Sequence, residues 1–422
     1  MTEYEKNNTP EILFEVSWEV CNKVGGIHTV LKTKCQEVQK KYGEHYVVIG
    51  PDIWREEHEN PEFIEDEKLF LGWKEQAYAA GLRFRTGRWN IPGKPIALII
   101  DFTPLISHKN EIFSKAWEDY KLDSLTGGWD YVESVLFGYA SGLIIKSFIE
   151  YYRYDQVVAQ FHEWMTGMGI LYLEKEAPYI GTVFTTHATT VGRSISGNGL
   201  PLYEKLSEYN GDEMSNRLNV TAKHSLEKLS AITANQFTTV SSITADECEQ
   251  LLTKRPDVIT PNGFDPDLVP DRNELQAARN LARQQMRKVV EAVLGYSLDQ
   301  DTVFIGPSGR YEYRNKGLDL FIDALGRLNR NDHLNKQVVA LIMVPAHNYG
   351  PRKSITSRIN GEHSEPSGSR YLTHNLHNAQ DDIILKALAD QGLMNGEGDP
   401  VKAVFIPCYL NGNDGIVNLS YY

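Results

Sequence analysis

Two histidines stand directly after apolar runs that predict β-strands. In "VVAQFHEWMTG", His162 and Glu163 follow the first run; in "VFTTHATTVGR", His187 follows the second, with Arg193 six positions later. The carboxyl ends of parallel strands share one edge of a sheet, where open α/β folds bind their ligands. One such histidine is most often a packing residue, and Arg193 alone fits a surface position. Two histidines at the same edge favour a polar site.

A glycine pair lies at another strand-to-helix junction. In "EVSWEVCNKVGGIHTV", Lys23, Gly25 and Gly26 separate an extended run from a helix predicted to begin near Thr29. Glycine lets a bulky anion approach the backbone, and the first turn of a helix offers it free N–H groups. An ordinary turn with a surface lysine fits the same residues. The chain has neither GxGxxG nor a Walker motif, so a dinucleotide or P-loop site is not supported.

A second cationic segment, "GPSGRYEYRNKG", follows a predicted strand in the C-terminal part of the chain. Arg310 offers a planar fork of donors, and Lys316, six positions later, adds a compact charge. This pair suits a diphosphate, although a charged surface turn explains it equally well. Because arginine and lysine can neutralise phosphates, we expect no metal and no cofactor. The histidines and cysteines lack zinc-ligand spacing, and no GxSxG nucleophile motif is present.

Composition limits the possible partners and compartment. The chain has 422 residues, 41% of them hydrophobic, and a net charge of −13, so we expect two domains and neither nucleic acid nor an anionic membrane as partner. Four scattered cysteines indicate reduced thiols and a cytoplasmic protein. The first residues lack a signal-peptide pattern, and the longest apolar runs look too short to cross a bilayer.

Strand and helix patterns alternate along the chain. Predicted strands include "ILFEVSW", "HYVVIG", "PIALIIDF", "DQVVAQF", "GTVFTTH" and "FTTVSS", and predicted helices cover 29–42, 130–152, 165–175 and 218–234. This order predicts an α/β fold with parallel, doubly wound sheets. We assign 1–265 to an N-terminal Rossmann-like domain, 266–300 to a connecting helical segment, and 301–422 to a partial C-terminal Rossmann-like domain. The polar stretch 350–372 predicts a surface loop.

Taken together, these segments resemble the animal and fungal glycogen synthases, glycosyltransferase family 3. The similarity lies in "FEVSWEVCNKVGGIHTVLKTK", "VVAQFHEWMTGMG", "VFTTHATTVGR", "FTTVSSITADE", "PDVITPNGF" and "GRYEYRNKGLDLFIDALGRLN". The resemblance implies the GT-B fold, in which two Rossmann-like domains face each other across a cleft. It also implies metal-independent transfer of glucose from UDP-glucose to the non-reducing 4-hydroxyl of an α-1,4-glucan, with retention of configuration.

The resemblance further implies roles for individual residues. Those implied to be catalytic are His187, Arg310 and Lys316. Those implied to bind the donor are Lys23, Gly25, Gly26, Arg193 and Asn262. His162 and Glu163 are implied to lie near the acceptor or to support the other residues.

The sequence also departs from the family pattern. The family's paired glutamates would fall beyond Tyr422, so we expect an incomplete second domain and a chain that is inactive or nearly so by itself. The family's long helical insertion is missing, which leaves its tetramer in doubt, although an oligomer is possible. Between His224 and His333 there is no histidine, so we expect no activation by glucose-6-phosphate. The pattern fits a simpler, bacterial-type member.

Two alternatives to a UDP-glucose-dependent synthase stay open. One is a synthase that uses ADP-glucose, because the sequence does not reveal the contacts to the base. The other is a catalytically inactive chain that binds glycogen or UDP.

Overall fold

The computed structural model describes residues 9–53, 60–263, 269, 271–365, 368–410, 414 and 416–417. The chain divides into two compact units, Met1–Asp265 and Pro266–Tyr422. Each unit is built on its own largely parallel sheet. The predicted α/β class is therefore confirmed.

The described part of the first unit is organised around a nine-stranded sheet of order β3-β4-β5-β2-β1-β6-β7-β8-β9. Pairing is parallel from β5 to β9, and only β3 and β4 at one edge are antiparallel. The strands are β1 (Ile12–Val16), β2 (Tyr46–Pro51), β3 (Phe63–Glu65), β4 (Phe84–Trp89), β5 (Ile96–Ile100), β6 (Val157–His162), β7 (Gly181–Thr186), β8 (Gln236–Thr239) and β9 (Val258–Ile259).

Helices cover both faces of this sheet, which explains why most of its strands are continuous apolar runs. They are α1 (Gly26–Tyr42), α2 (Leu71–Ala79), α3 (Lys109–Tyr120), α4 (Trp129–Tyr152), α5 (Gly167–Glu176), α6 (Thr190–Gly197), α7 (Gly211–Arg217), α8 (Thr221–Thr233) and α9 (Ser242–Leu252). The larger core lies between the sheet and α4, and a smaller one lies beneath α1 on the opposite face.

The described part of the second unit has a three-stranded parallel sheet of order β10-β11-β14 and a small antiparallel pair, β12 with β13. Its strands are β10 (Val303–Ile305), β11 (Val338–Ile342), β12 (Asn348–Pro351), β13 (His374–Leu376) and β14 (Val401–Phe405). Its helices are α10 (Arg272–Leu294), α11 (Leu318–Asn329), α12 (Lys353–Ile359) and α13 (Ile383–Asp390). One core packs beneath α10 and another beneath α11 and α13.

Two predicted segments differ from the structure in detail. Helix α10 lies in the stretch assigned to a connector, yet its C-terminal half is buried in the core of the second unit. The stretch 350–372 is not wholly a surface loop, because α12 forms within it and buries Ile355. Residues 366–367 of that stretch lie outside the described part of the chain.

Helix α4 is the one described helix that is long and apolar enough, by length and composition, to cross a membrane. The expectation that every apolar run is too short was therefore wrong for this segment. Of the apolar 18-residue stretch in this helix, however, 72% is buried inside the protein. The helix packs against α5 and the sheet as a core element.

Glycines in "HEWMTGMG" allow α4 and α5 to pack closely. A Cβ at Gly138 would lie 2.9 Å from the Thr166 carbonyl oxygen, and one at Gly169 would lie 2.8 Å from the Gly138 carbonyl oxygen. A Cβ at Gly167 would overlap the Ser230 hydroxyl on α8. Packing therefore accounts for these glycines. The contact holds α5 directly behind the segment that carries His162 and Glu163.

We expect Gly169→Ala to lower the free energy of unfolding by about 1 to 3 kcal/mol, because overpacking forces rigid backbone apart. Urea unfolding followed by circular dichroism measures the change. Gly181→Ala is the matched control, since a Cβ there would meet its nearest neighbour at an ordinary 3.4 Å. Equal stability of the two variants would show that α4 and α5 are not in close contact.

Candidate active site

A buried carboxylate, Glu15, lies near the carboxyl end of β1, between β2 and β6. Its side chain is 1% exposed. Oε1 accepts a hydrogen bond from His162 Nε2 at 2.7 Å and contacts the Lys34 ammonium on α1, while Oε2 accepts from the Tyr46 hydroxyl. Three elements of the first unit therefore meet at one carboxylate.

The histidine at the end of β6 continues this chain of contacts to β7. His162 Nδ1 lies 3.2 Å from His187 Nε2. The strand order β1-β6-β7 brings the three side chains into line, because their strands end side by side. The structure thus brings together the two histidines that the sequence placed at one sheet edge.

The charges of these groups follow from their surroundings. Burial alone would raise the pKa of Glu15, but Lys34 and His162 lower it to about 2. Burial lowers the pKa of His162, and burial together with the nearby His162, Lys34 and Arg193 lowers the pKa of His187 to about 3. At neutral pH Glu15 is therefore ionised, and both histidines are uncharged.

These charge states fix where the protons lie. An ionised Glu15 can only accept, so His162 Nε2 carries the proton that it donates. The Nδ1 atom of a neutral His162 is then an acceptor, and His187 Nε2 must donate to it. The remaining ring nitrogen of His187, Nδ1, is consequently an unprotonated acceptor. His187 is suited to accept a hydrogen bond from a hydroxyl and not to neutralise a phosphate.

Glu163 holds the backbone of the second histidine. Its Oε1 accepts from the His187 backbone N–H at 2.8 Å, and its own N–H donates to the Thr185 carbonyl at 2.9 Å. The residue adopts φ +64°, which is uncommon for a residue with a side chain. Tertiary contacts therefore maintain this conformation, and Glu163 acts on His187 by positioning it.

Two more buried carboxyl groups hold the start of α6, which carries Arg193. Glu227 accepts from the Thr190 N–H at 2.9 Å, and Glu247 accepts from the Thr189 N–H at 3.1 Å. Burial, reinforced by Glu163, raises the pKa of Glu227 to about 8. The helix is thereby fixed beside His187, close enough for the Arg193 charge to influence the histidine.

The glycine loop differs from the simple anion site that the sequence suggested. Helix α1 begins at Gly26, and Glu19 Oε2 accepts from the N–H groups of Gly25 and His28, each at 2.8 Å. Two donors near the helix start are therefore already bonded to a carboxylate. Lys23 is exposed, and a Cβ at Gly26 would meet open space. A bulky group can still reach this backbone.

The second unit brings Arg310 and Lys316 into one loop after β10. The Arg310 Nε atom lies 2.9 Å from Glu312, and the arginine side chain is 41% exposed. Lys316 is exposed, and its stem lies next to Gly309, 3.9 Å from where a Cβ would stand. Gly317 has φ +64° at the start of α11, which favours glycine in the turn.

Asn262 lies in the exposed segment after β9, in the first unit. Sequence reasoning also missed four residues on which the site depends: Glu15, Lys34, Glu19 and Glu227. An acidic residue inside an apolar strand run, as in "ILFEVSW", is the one signal that could have revealed Glu15.

Comparison with known proteins identifies the family. The family model described as "Glycogen synthase" matches residues 15–354. The chain belongs to the glycogen synthase family. Among curated relatives, it is 30% identical to glycogen [starch] synthase of Dictyostelium discoideum over 97% of this chain and 53% of that protein. The corresponding enzyme of Caenorhabditis elegans is 31% identical over 97% of this chain and 70% of its own length.

The chain thus spans between about half and seven tenths of the length of these relatives. A solved structure of the catalytic domain of starch synthase IV from Arabidopsis thaliana, bound to ADP and acarbose, aligns with a TM-score of 0.47. It is 16% identical in sequence and covers 84% of this chain and 71% of that one. The predicted resemblance to the glycogen synthase family is confirmed by the family match.

We expect the Glu15 network to make the stability of this family member depend on acid pH. The pKa of this carboxyl is about 2 in the folded protein and 4.5 in the unfolded chain. Its ionised form therefore stabilises the folded protein at pH values above 4.5, and this contribution is lost as the pH falls toward 2. The loss is at most about 3 kcal/mol. Glu15→Gln has no such carboxyl, so its unfolding free energy should fall less than that of the wild type between about pH 5 and pH 3.

Urea unfolding at several pH values measures this difference. Glu118→Gln, at an exposed position on α3, is the control and should follow the wild-type profile. Parallel pH profiles for the wild type and Glu15→Gln would contradict a depressed pKa at Glu15.

Proposed function

We propose that this protein is a glycogen synthase that transfers glucose from a nucleotide-activated donor to the end of an α-glucan chain. The observation that carries the proposal is the loop after β10, where Arg310 directly follows Gly309 and the stem of Lys316 lies beside that glycine. Such a loop, at the carboxyl end of a parallel strand, suits a diphosphate. Membership of the glycogen synthase family suggests that the group transferred is a sugar. The diphosphate would then be the leaving group of that transfer.

In this proposal Arg310 and Lys316 act on the leaving group. Breaking the bond between the anomeric carbon and the phosphate oxygen builds negative charge on the diphosphate. Fixed cations next to that oxygen stabilise the charge as it develops, which is often the largest contribution to catalysis. Arg310 would have to exchange its contact with Glu312 for the phosphate, and its partial exposure makes that exchange feasible.

The first unit would hold the sugar. His187 is uncharged and offers an unprotonated Nδ1, so we assign it to a sugar hydroxyl. Glu163 holds the His187 backbone N–H, and His162 holds the His187 ring by a hydrogen bond with Nε2. Lys23, with Gly25 and Gly26, would approach the donor from the glycine loop.

Arg193 and Asn262 are also proposed to bind the donor. The Arg193 charge is near enough to His187 to lower the histidine pKa. For Asn262, the proposal rests only on the resemblance of "PDVITPNGF" to the family.

The finer chemistry is also proposed. We propose UDP-glucose as the donor and the non-reducing 4-hydroxyl of an α-1,4-glucan as the acceptor, with configuration retained and no metal involved. The acceptor oxygen bonds to the anomeric carbon on the face from which the diphosphate leaves. The hydroxyl proton passes to the departing phosphate oxygen. A cytoplasmic location agrees with the four cysteines, all of which are free thiols.

We expect Lys316→Ala and Arg310→Ala to weaken UDP binding roughly 10- to 100-fold, the loss expected when a hydrogen bond to a charged group is removed. Isothermal titration of the 422-residue chain with UDP measures this loss. Arg327→Ala is the control, because this arginine is 76% exposed on α11 and lies in the same unit. Unchanged UDP affinity in both loop variants would refute the diphosphate site.

A second assay identifies which nucleotide sugar is the donor and tests whether glucose is transferred to glycogen. UDP-glucose and ADP-glucose are each supplied with and without glycogen, and the released nucleotide is measured. Glycogen-dependent release from UDP-glucose supports the full proposal, while faster release from ADP-glucose would correct the donor. If UDP binds and neither donor is consumed, the chain is a binding protein for the nucleotide and not a synthase by itself.

A further inference from the structure

The second unit contains a cavity of about 590 Å³ that none of the proposed donor or acceptor residues lines. It lies beyond the carboxyl ends of β11 and β14. Its wall includes the first residue of β13, His374, together with Cys408, which follows β14, and Asp414. These three residues carry the kinds of side-chain atom that bind transition metals.

Their ligand atoms converge at one end of the cavity. His374 Nε2 lies 2.8 Å from Asp414 Oδ2. One ligand atom from each of the three residues lies within 4.8 Å of the other two. His374 is 1% exposed, and the Asp414 side chain is 16% exposed. Within the described part of the chain, His374 is buried, Asp414 and Cys408 are partly buried, and all three border the cavity.

We infer that His374, Cys408 and Asp414 bind a divalent transition-metal ion of the zinc class. The mixed nitrogen, sulfur and oxygen set matches the ligands that Zn²⁺ takes in proteins. Bond lengths of about 2.0 to 2.3 Å in a tetrahedral site place ligand atoms roughly 3.3 to 3.8 Å apart. Movements of the side chains by about an ångström would bring ligand atoms that now lie between 2.8 Å and 4.8 Å apart to that spacing.

The charges of such a site balance. A thiolate from Cys408 and a carboxylate from Asp414 together carry the charge that a divalent ion neutralises, and His374 binds as the neutral ring. A neutral assembly of this kind avoids leaving an uncompensated charge in a largely buried position. Metal binding replaces the thiol proton of Cys408 and the hydrogen bond between His374 Nε2 and Asp414 Oδ2, and the single ring proton of His374 then lies on Nδ1.

A neighbouring hydroxyl is placed to orient the histidine. Thr373 Oγ1 lies 2.8 Å from His374 Nδ1 and 3.5 Å from the Phe405 carbonyl oxygen. If His374 Nδ1 donates to Thr373, the threonine hydroxyl can donate onward to Phe405, and Nε2 keeps its lone pair for the metal. Ligand histidines in metal sites usually have such a partner on their second nitrogen.

Three protein ligands leave the fourth position of a tetrahedral ion open toward the cavity. Asn348 and Tyr409 line this space with the ligands. A water molecule or a small anionic ligand could complete the coordination, as in zinc sites that keep an exchangeable position. The site does not depend on the proposed transferase reaction, and no step of that reaction is assigned to it.

The test is titration of the purified 422-residue chain with Co²⁺, whose visible spectrum reports tetrahedral coordination and thiolate bonding, followed by competition with Zn²⁺. We expect one Co²⁺ per chain, a thiolate charge-transfer band, and displacement by Zn²⁺. Cys408→Ser should abolish the band, and Asp414→Asn should weaken binding at least about 10-fold. His333→Ala, at an exposed position in the same unit, is the control and should bind as the wild type does.

Thr373→Val provides a finer test, because it keeps the shape of the side chain and removes its hydroxyl. Loss of this partner should lower metal affinity roughly 10- to 100-fold without unfolding the protein, which circular dichroism checks. The inference is overturned if the wild-type chain shows no thiolate band with Co²⁺, or if Cys408→Ser binds Co²⁺ with the wild-type spectrum. Protection of Cys408 from alkylation by Zn²⁺ gives a readout that needs no variant.

Discussion

The buried Glu15 carboxylate is the interaction on which the site in the first unit depends. A carboxylate removed from water is stable only if its lone pairs and charge are satisfied, and Lys34, Tyr46 and His162 satisfy them here. Each partner comes from a different element. The same contacts therefore join α1, β2 and β6 and set the proton positions of both histidines.

The two units differ in how deeply their candidate site residues are buried, and this difference gives them different chemistry. In the first unit, burial and nearby positive groups keep His162 and His187 uncharged, so these two side chains offer hydrogen bonds and no charge. In the second, Lys316 is an exposed cation and Arg310 is a partly exposed one, on a glycine turn. A sugar needs directional hydrogen bonds and a diphosphate needs charge, so the proposed division of roles follows from how deeply each cluster is buried.

Residues that identify a family need not touch its substrates. In "HEWMTGMG", Gly167 and Gly169 admit neighbouring atoms from α8 and α4, and they hold α5 behind His162. Glu19 likewise bonds to the N–H groups of Gly25 and His28, so part of the glycine loop is shaped from within. Both features support the site through packing and hydrogen bonding.

The sequence by itself determined the strands β1, β2, β5, β6, β7 and β8, the helices α1, α4, α5 and α8, and the placement of His162 and His187 at one edge. Apolar periodicity is a local property, and strand ends in a parallel sheet converge whatever their side chains. It did not reveal α12, because the burial of Ile355 depends on the fold of the second unit and not on the polar composition around it. Nor did it reveal that Glu15 meets His162 across 147 positions. Only the tertiary structure decided those contacts, because charge states and hydrogen-bond partners depend on which distant residues fill the same buried space.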